Sequence, residues 1–381
     1  MFPNLKSQFM LDPDIIHLNH GSYGSCPKPI FDSHIKWQKR LELNPTKHLG
    51  FDLYNYLEKS RTALSDYVHC NKDDIVYFPN PSTALNTVIK SLDLKPGDEI
   101  LSSNHEYGAL DKTWNYMSKK KGIKYIQTSI PLPLLSEEDF INRFIDNITS
   151  KTKIIFLSHI TSSTGLIFPV KEICKIAKER NIISIIDGAH VPGHIKLNVK
   201  DLDPDIYTGA CHKWMCSPKG TAFLYVNKNL QNIIEPLVIS WGYESDNPGT
   251  SQFLDYLEWQ GTNDMSSYLT IPDTINFLEK NNWQNIAKKC RELNLWARNE
   301  INQLLKIESI SDDKFLGQMS SIPMQSSDII QDQIDFYLNY KIQIPFIKWH
   351  NKEFFRISIQ AYNTKEDIFI LLEALDEKYN N

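Results

Sequence analysis

At 381 residues the chain is long enough for about two or three domains and a sizeable core. Apolar residues make up 41% and charged residues 23%, the balance of a folded globular protein rather than a disordered one. A formal net charge of −5 is not basic enough to imply a nucleic-acid surface, and no apolar run is long enough to span a membrane.

Met1 to Asn4 does not open a signal peptide. The predicted elements then follow in chain order. Ile75–Phe78 reads as a strand and Thr83–Leu92 as a helix after it. Glu99–Leu101, Lys124–Ile126 and Lys153–Leu157 are further strands, and Val170–Arg180 is a helix. Ile182–Ile186 and Thr221–Val226 complete the strands of this region, with Asp205–Gly209 leading to another strand end. Continuous apolar strands separated by helices predict an α/β fold with a mostly parallel sheet covered on both faces. Composition shifts after about Met265. Helices are expected at Pro272–Glu279, Trp283–Lys306 and Asp328–Tyr340, then a strand at Phe354–Ile359 and a last helix at Lys365–Glu377. We therefore expect an N-terminal arm (1–20), a large α/β domain (21–265) and a small α+β C-terminal domain (266–381). Cys26, Cys70, Cys174, Cys211, Cys216 and Cys290 include no CxxC pair, so free thiols in a reducing cytoplasm are expected.

Open parallel sheets bind ligands at the carboxyl ends of their strands, so the residues just past each apolar run are informative. Asp187-Gly188-Ala189-His190 follows one run. A carboxylate there is either a cap or structural ion pair, or a partner for a cofactor cation. Lys213 stands between His212 and Trp214 past another strand end. It is either a turn lysine or a partly desolvated amine able to attack an aldehyde. Ser82 and Thr83 open a helix, as ordinary caps or as an anion cradle. Together these ends supply an amine, a carboxylate and an anion site, the groups that pyridoxal 5′-phosphate (PLP) requires.

The motifs Leu18-Asn19-His20-Gly21-Ser22-Tyr23-Gly24, Asp187-Gly188-Ala189-His190, His212-Lys213-Trp214, Trp259-Gln260-Gly261-Thr262 and Arg356-Ile357-Ser358 with Tyr362-Asn363-Thr364 occur in this order. In them the chain resembles the class V aminotransferase family of fold-type I PLP enzymes, and within it the isopenicillin N epimerase-like branch. The resemblance implies that Lys213 carries PLP covalently and moves the Cα proton of an amino-acid substrate. It implies that Asp187 pairs with the pyridine nitrogen and that Tyr107 stacks on the ring. Ser162 and His190 would lie near the ring hydroxyl. Ser82, Thr83, Thr208 and His212 would hold the phosphate, with Thr262 reaching it from the second subunit of a homodimer. Arg356 would grip the substrate carboxylate, and Asn19, His20, Gly21, Ser22 and Tyr23 would line the substrate mouth. Ala210 and Ser162 depart from the Asn or Ser, and the Asn, that relatives often place there.

Other chemistries fit less well. His190 and His194 have a metal-like spacing, but Pro192-Gly193 breaks the helix that would put both on one face, so no metal is expected. No G-x-S-x-G elbow is present for a serine hydrolase. A desulfurase needs a mobile thiol near its C-terminal domain, and no cysteine follows Cys290. An epimerase or racemase remains the first expectation, with a C–S β-lyase or a transaminase as alternatives. A protein that binds PLP without turnover is the last of them, since Lys213, Asp187 and Arg356 are all present.

Overall fold

The computed structural model describes residues 5–380. Met1–Asn4, with the signal-peptide expectation and the start of the arm, lie outside the described residues. Seven strands form the central sheet: β1 (Ile75–Phe78), β2 (Glu99–Ser103), β3 (Lys124–Thr128), β4 (Thr152–Ser158), β5 (Ile183–Gly188), β6 (Ile206–Ala210) and β7 (Ala222–Val226). Their spatial order is β1-β7-β6-β5-β4-β2-β3. Only β7 is reversed, pairing antiparallel with both β1 and β6. The other six share one direction, so their carboxyl ends line a single edge.

The continuous apolar runs have a simple cause. Successive side chains point to opposite faces of a strand. Val76, Phe78, Ile154 and Phe156 enter one core, while Ile75, Tyr77, Ile155 and Leu157 enter the other. After α1 (Lys28–Leu43), which packs mainly against other helices, the helices that cover the two faces include α2 (Leu53–Val68), α3 (Pro81–Ser91), α4 (Gly108–Lys121) and α5 (Val170–Glu179). Helices α1, α2 and α4 were not among the expected elements. Helix α1 buries only Ile30 and Leu41, which leaves little apolar periodicity to read.

Farther along come α6 (Gln252–Glu258), α7 (Ile271–Lys280), α8 (Trp283–Leu305), α9 (Ile329–Leu338) and α10 (Lys365–Tyr379). A three-stranded antiparallel sheet joins β8 (Met319–Met324), β9 (Phe346–Trp349) and β10 (Lys352–Ser358), with β10 central. Strand β8 carries serines and Pro323, which concealed it in the sequence; at the sheet edge its proline is tolerated. The N-terminal segment is stitched to this region. Ile16–His17 pairs parallel with Ile342–Gln343, and Asn19 bridges to Ser358. That seam brings the Leu18–Gly24 segment between the end of β6 and the small sheet.

Candidate active site

Lys213 follows β6 in a turn held from below by the N-terminal segment. Gly24 has φ +69°, and a Cβ there would stand 2.0 Å from the His212 carbonyl oxygen and 2.9 Å from Lys213 Cα. Only glycine fits that approach. His20 Nε2 lies 3.0 Å from the Lys213 carbonyl and its Nδ1 lies 3.1 Å from the Tyr362 hydroxyl. His20 and Gly21 are buried, so they sit beneath Lys213 rather than at an opening, whereas Tyr23 is exposed. The Lys213 amine is 3.1 Å from His190 Nε2. Desolvation, helped by the Arg356 charge and opposed by Asp187, lowers its pKa to about 8. It is thus a far better nucleophile and base at neutral pH than a solvated lysine.

Asp187 ends β5 beside Thr208 of β6. It is 4% exposed, and one carboxylate oxygen accepts from the Ala189 backbone N–H at 2.9 Å. Burial raises its pKa, against the pull of that N–H and of Lys213. A cation placed against this carboxylate would draw it down again.

Arg356, on β10, is 3% exposed. Its Nη1 donates to the Ser162 carbonyl at 2.6 Å and its Nη2 to the Ser22 hydroxyl at 3.0 Å. Ser22 in turn donates to Asn19 Oδ1 at 2.6 Å. Arg356 Nε has no hydrogen-bond partner. Burial lowers the pKa of the guanidinium to about 10, with no carboxylate offsetting it. A buried cation without an anion is costly, so this side of the site is built to receive one.

The hydroxyl groups divide unequally. Asn80 caps α3, accepting from Thr83 N at 2.8 Å and from Thr83 Oγ1 at 3.1 Å. Pro81 has no N–H. Ser82 therefore keeps the free amide and hydroxyl of that helix end. The Thr208 hydroxyl donates to the Phe223 carbonyl at 2.6 Å. His212 Nδ1 lies 2.9 Å from the Thr221 carbonyl, and burial lowers its pKa to about 4. Thr262 is exposed in the loop after α6. Tyr107, also exposed, follows Glu106, to which sequence reasoning assigned no part. Glu106 accepts from Ser103 Oγ at 2.5 Å and from Ser158 N and Oγ at 2.8 and 2.5 Å, tying the end of β2 to that of β4. Its signal in the sequence was its place at a strand end. Trp214 was likewise given no part, yet it is fully buried and touches His190.

The site is thus identified by its chemistry rather than by its size. A cavity of about 650 Å³, lined in part by Tyr67, His69, Trp283 and Arg291, contains neither Lys213 nor Asp187.

Comparison with known proteins shows the family and the fold. The sequence pattern described as aminotransferase class-V matches residues 27–371. The isopenicillin N epimerase of Amycolatopsis lactamdurans is 28% identical, with 98% of each chain covered. The hercynylcysteine sulfoxide lyase of Schizosaccharomyces pombe is 23% identical over 98% of this chain and 96% of its own. Among solved structures, a cysteine desulfurase from Thermococcus onnurineus NA1 superposes with a TM-score of 0.85 at 19% identity, covering 100% of this chain and 98% of the other.

Proposed function

The chain belongs to the class V aminotransferase family of PLP-dependent enzymes, and from that premise we propose that it acts at the α-carbon of an amino-acid substrate as an epimerase or racemase. The observation that carries this reading is a buried, unpaired Arg356 in the field of a Lys213 amine whose pKa is lowered to about 8. One group grips a carboxylate and the other moves a proton, the minimum for chemistry at Cα.

The donor set fits the cofactor. A desolvated amine of lowered pKa, a buried carboxylate without an ion-pair partner, and a helix N-terminus with Ser82 unengaged match an aldehyde, a pyridine nitrogen and a phosphate. When bound, PLP supplies the electron sink for the pair left at Cα. Lys213 would hold it covalently, Asp187 would face its nitrogen, and Tyr107 would cover one ring face. Ser162 and His190 would stand at the ring hydroxyl, with Ser82, Thr83, Thr208 and His212 around the phosphate. Arg356, oriented by Ser22 and by the Ser162 carbonyl, would clamp the substrate carboxylate and set the direction of the Cα–H bond. Asn19, Ser22 and Tyr23 would form the wall on that side, with His20 and Gly21 beneath Lys213.

We further assign a cytoplasmic homodimer, in which Thr262 serves the second copy. The exposure of Thr262 in its own chain is what supports this. Mixing Lys213→Ala with Thr262→Ala chains should then regenerate intact sites in hybrids. Mixtures that stay at the average of the parents would rule it out.

A second reading, β-elimination from a cysteine conjugate or its sulfoxide, is favoured by the sulfoxide lyase that matches nearly end to end. A desulfurase reading lacks its thiol, because Cys290 is buried and burial raises its pKa. The test is a panel of amino acids and cysteine conjugates in deuterated water. Deuterium at Cα without pyruvate marks an epimerase; ammonia with pyruvate marks the lyase. Conversion of the cofactor to its amine form with release of a keto acid marks a transaminase. No exchange with any member of the panel would overturn chemistry at Cα.

A further inference from the structure

Three buried histidines surround Trp214, and hydrogen-bond bookkeeping fixes the protons on all of them. A backbone carbonyl only accepts, and an indole N–H only donates. His20 faces the Lys213 carbonyl through Nε2, so that nitrogen carries its proton and Nδ1 accepts from Tyr362. His194 Nε2 accepts from the Gln318 backbone N–H, so Nδ1 carries the proton and donates to the His190 carbonyl at 3.0 Å. His190 Nδ1 accepts from Trp214 Nε1–H at 3.2 Å, so the ring proton belongs on Nε2, which faces the Lys213 amine at 3.1 Å. Two donors cannot share that last contact. If His190 Nε2 donates, Lys213 must accept.

We infer that Trp214 is a positioning residue whose indole N–H locks His190 as the Nε2–H tautomer, so that His190 donates to Lys213 and favours its free amine over its ammonium form. The lock is mechanically supported. The Trp214 ring lies 4.1 Å from the His194 ring and 5.1 Å from that of His20, and the side chain is fully buried. The consequence is a division of labour. His190 cannot take a second proton without turning a Nδ1–H against the indole N–H, so a proton taken up on this face stays on Lys213. Burial first, then the charges of Lys213, Arg356, His194 and His212, already hold the His190 pKa well below its ordinary value. Around Lys213 itself, Arg356 disfavours the ammonium while Asp187 favours it. The inference rests on the assignment of Lys213 as the reactive amine, but its test does not require turnover.

The test is carried out on the cofactor-free full chain labelled with 15N-histidine, using long-range proton–nitrogen spectra across the pH range of the folded protein. His190 is expected to show an unprotonated Nδ1 and a protonated Nε2 throughout, without titrating between pH 5 and 8. In Trp214→Phe the tautomers should mix. His190 Nε2 then becomes an acceptor for the ammonium form, and the Lys213 pKa, read by competitive acylation and mass spectrometry, should rise by about one pH unit or more. That is a loss of about tenfold in free amine at neutral pH. Benzothienylalanine at position 214, isosteric with tryptophan but without the N–H, gives the same result if the larger cavity of Trp214→Phe disturbs folding. A wild-type His190 protonated on Nδ1 would overturn the inference, as would an unchanged tautomer and Lys213 pKa in the isostere. Loss of turnover in Lys213→Ala with an unlocked His190 would leave the proposed function standing and the lock refuted.

Discussion

The two walls of the site follow opposite rules. On the side of β5 and β6, the histidines around Trp214 are neutral and hydrogen-bonded, and Lys213 is supported through its backbone by His20. On the side of β10, Arg356 is buried with an idle Nε and no acid beside it. A satisfied wall stays rigid and can hold a resident group in register. An unsatisfied wall stores a demand for an anion, which a substrate carboxylate would supply on the proposed reading. On that reading, the difference separates residues that set the rate of chemistry from one that recognises the carboxylate.

Substitution can break that contrast at its strongest point. Lys213→Ala should reduce turnover by about 10³–10⁴-fold and abolish the visible absorbance of the bound cofactor. Steady-state kinetics and the spectrum check both. Asp187→Asn should retain cofactor but slow Cα exchange by roughly 10²–10³-fold, because an amide supplies no charge to a cation on the ring. Near-normal exchange, followed by mass spectrometry in deuterated water, would place another residue at the nitrogen.

The opposite wall should respond differently. Arg356→Lys is expected to cost about 10–100-fold in kcat/KM, since a point charge replaces a planar fork. An amine lacking the carboxylate should react equally well with both proteins, and parallel losses would remove Arg356 from substrate recognition. At the phosphate end the effects are smaller. Ser82→Ala should weaken PLP binding by about 3–10-fold, more than Thr83→Val does, because Thr83 is already engaged by Asn80. Cofactor titration distinguishes the two.

The amine also leaves a mark on stability. Its folded pKa of about 8 lies below the unfolded value, so the folded chain binds this proton less tightly than the unfolded chain. The penalty is complete below pH 8 and fades as pH rises from there towards ~10.4, the ordinary lysine value. Lys213→Met should therefore stabilise the cofactor-free chain by about 1–3 kcal/mol at pH 7, and by less at pH 9.5. Denaturant titrations at the two pH values measure it.

The sequence disclosed the strands of the central sheet wherever both faces are apolar, as at 75–78 and 154–157. Asp187 and Lys213 stood out because each is a polar residue ending such a run. Helix α1 and strand β8 did not, since one buries few side chains and the other is polar at a sheet edge. The supports of the site were also hidden. His20 meets Lys213 across 193 residues of chain and Arg356 meets Ser22 across 334, separations at which no local pattern survives. The resemblance named these residues, but not what they touch. Trp214 shows the limit most clearly: beside Lys213 it reads as a core aromatic, and only its bond to His190 gives it another part.

The most direct measurement is the position of the cofactor itself. The holoenzyme is reduced with borohydride, digested and sequenced by mass spectrometry. The expected result is one pyridoxyl-modified peptide, carrying the label on Lys213. A label on any other lysine, or none on a protein that retains its cofactor, would contradict the site described above.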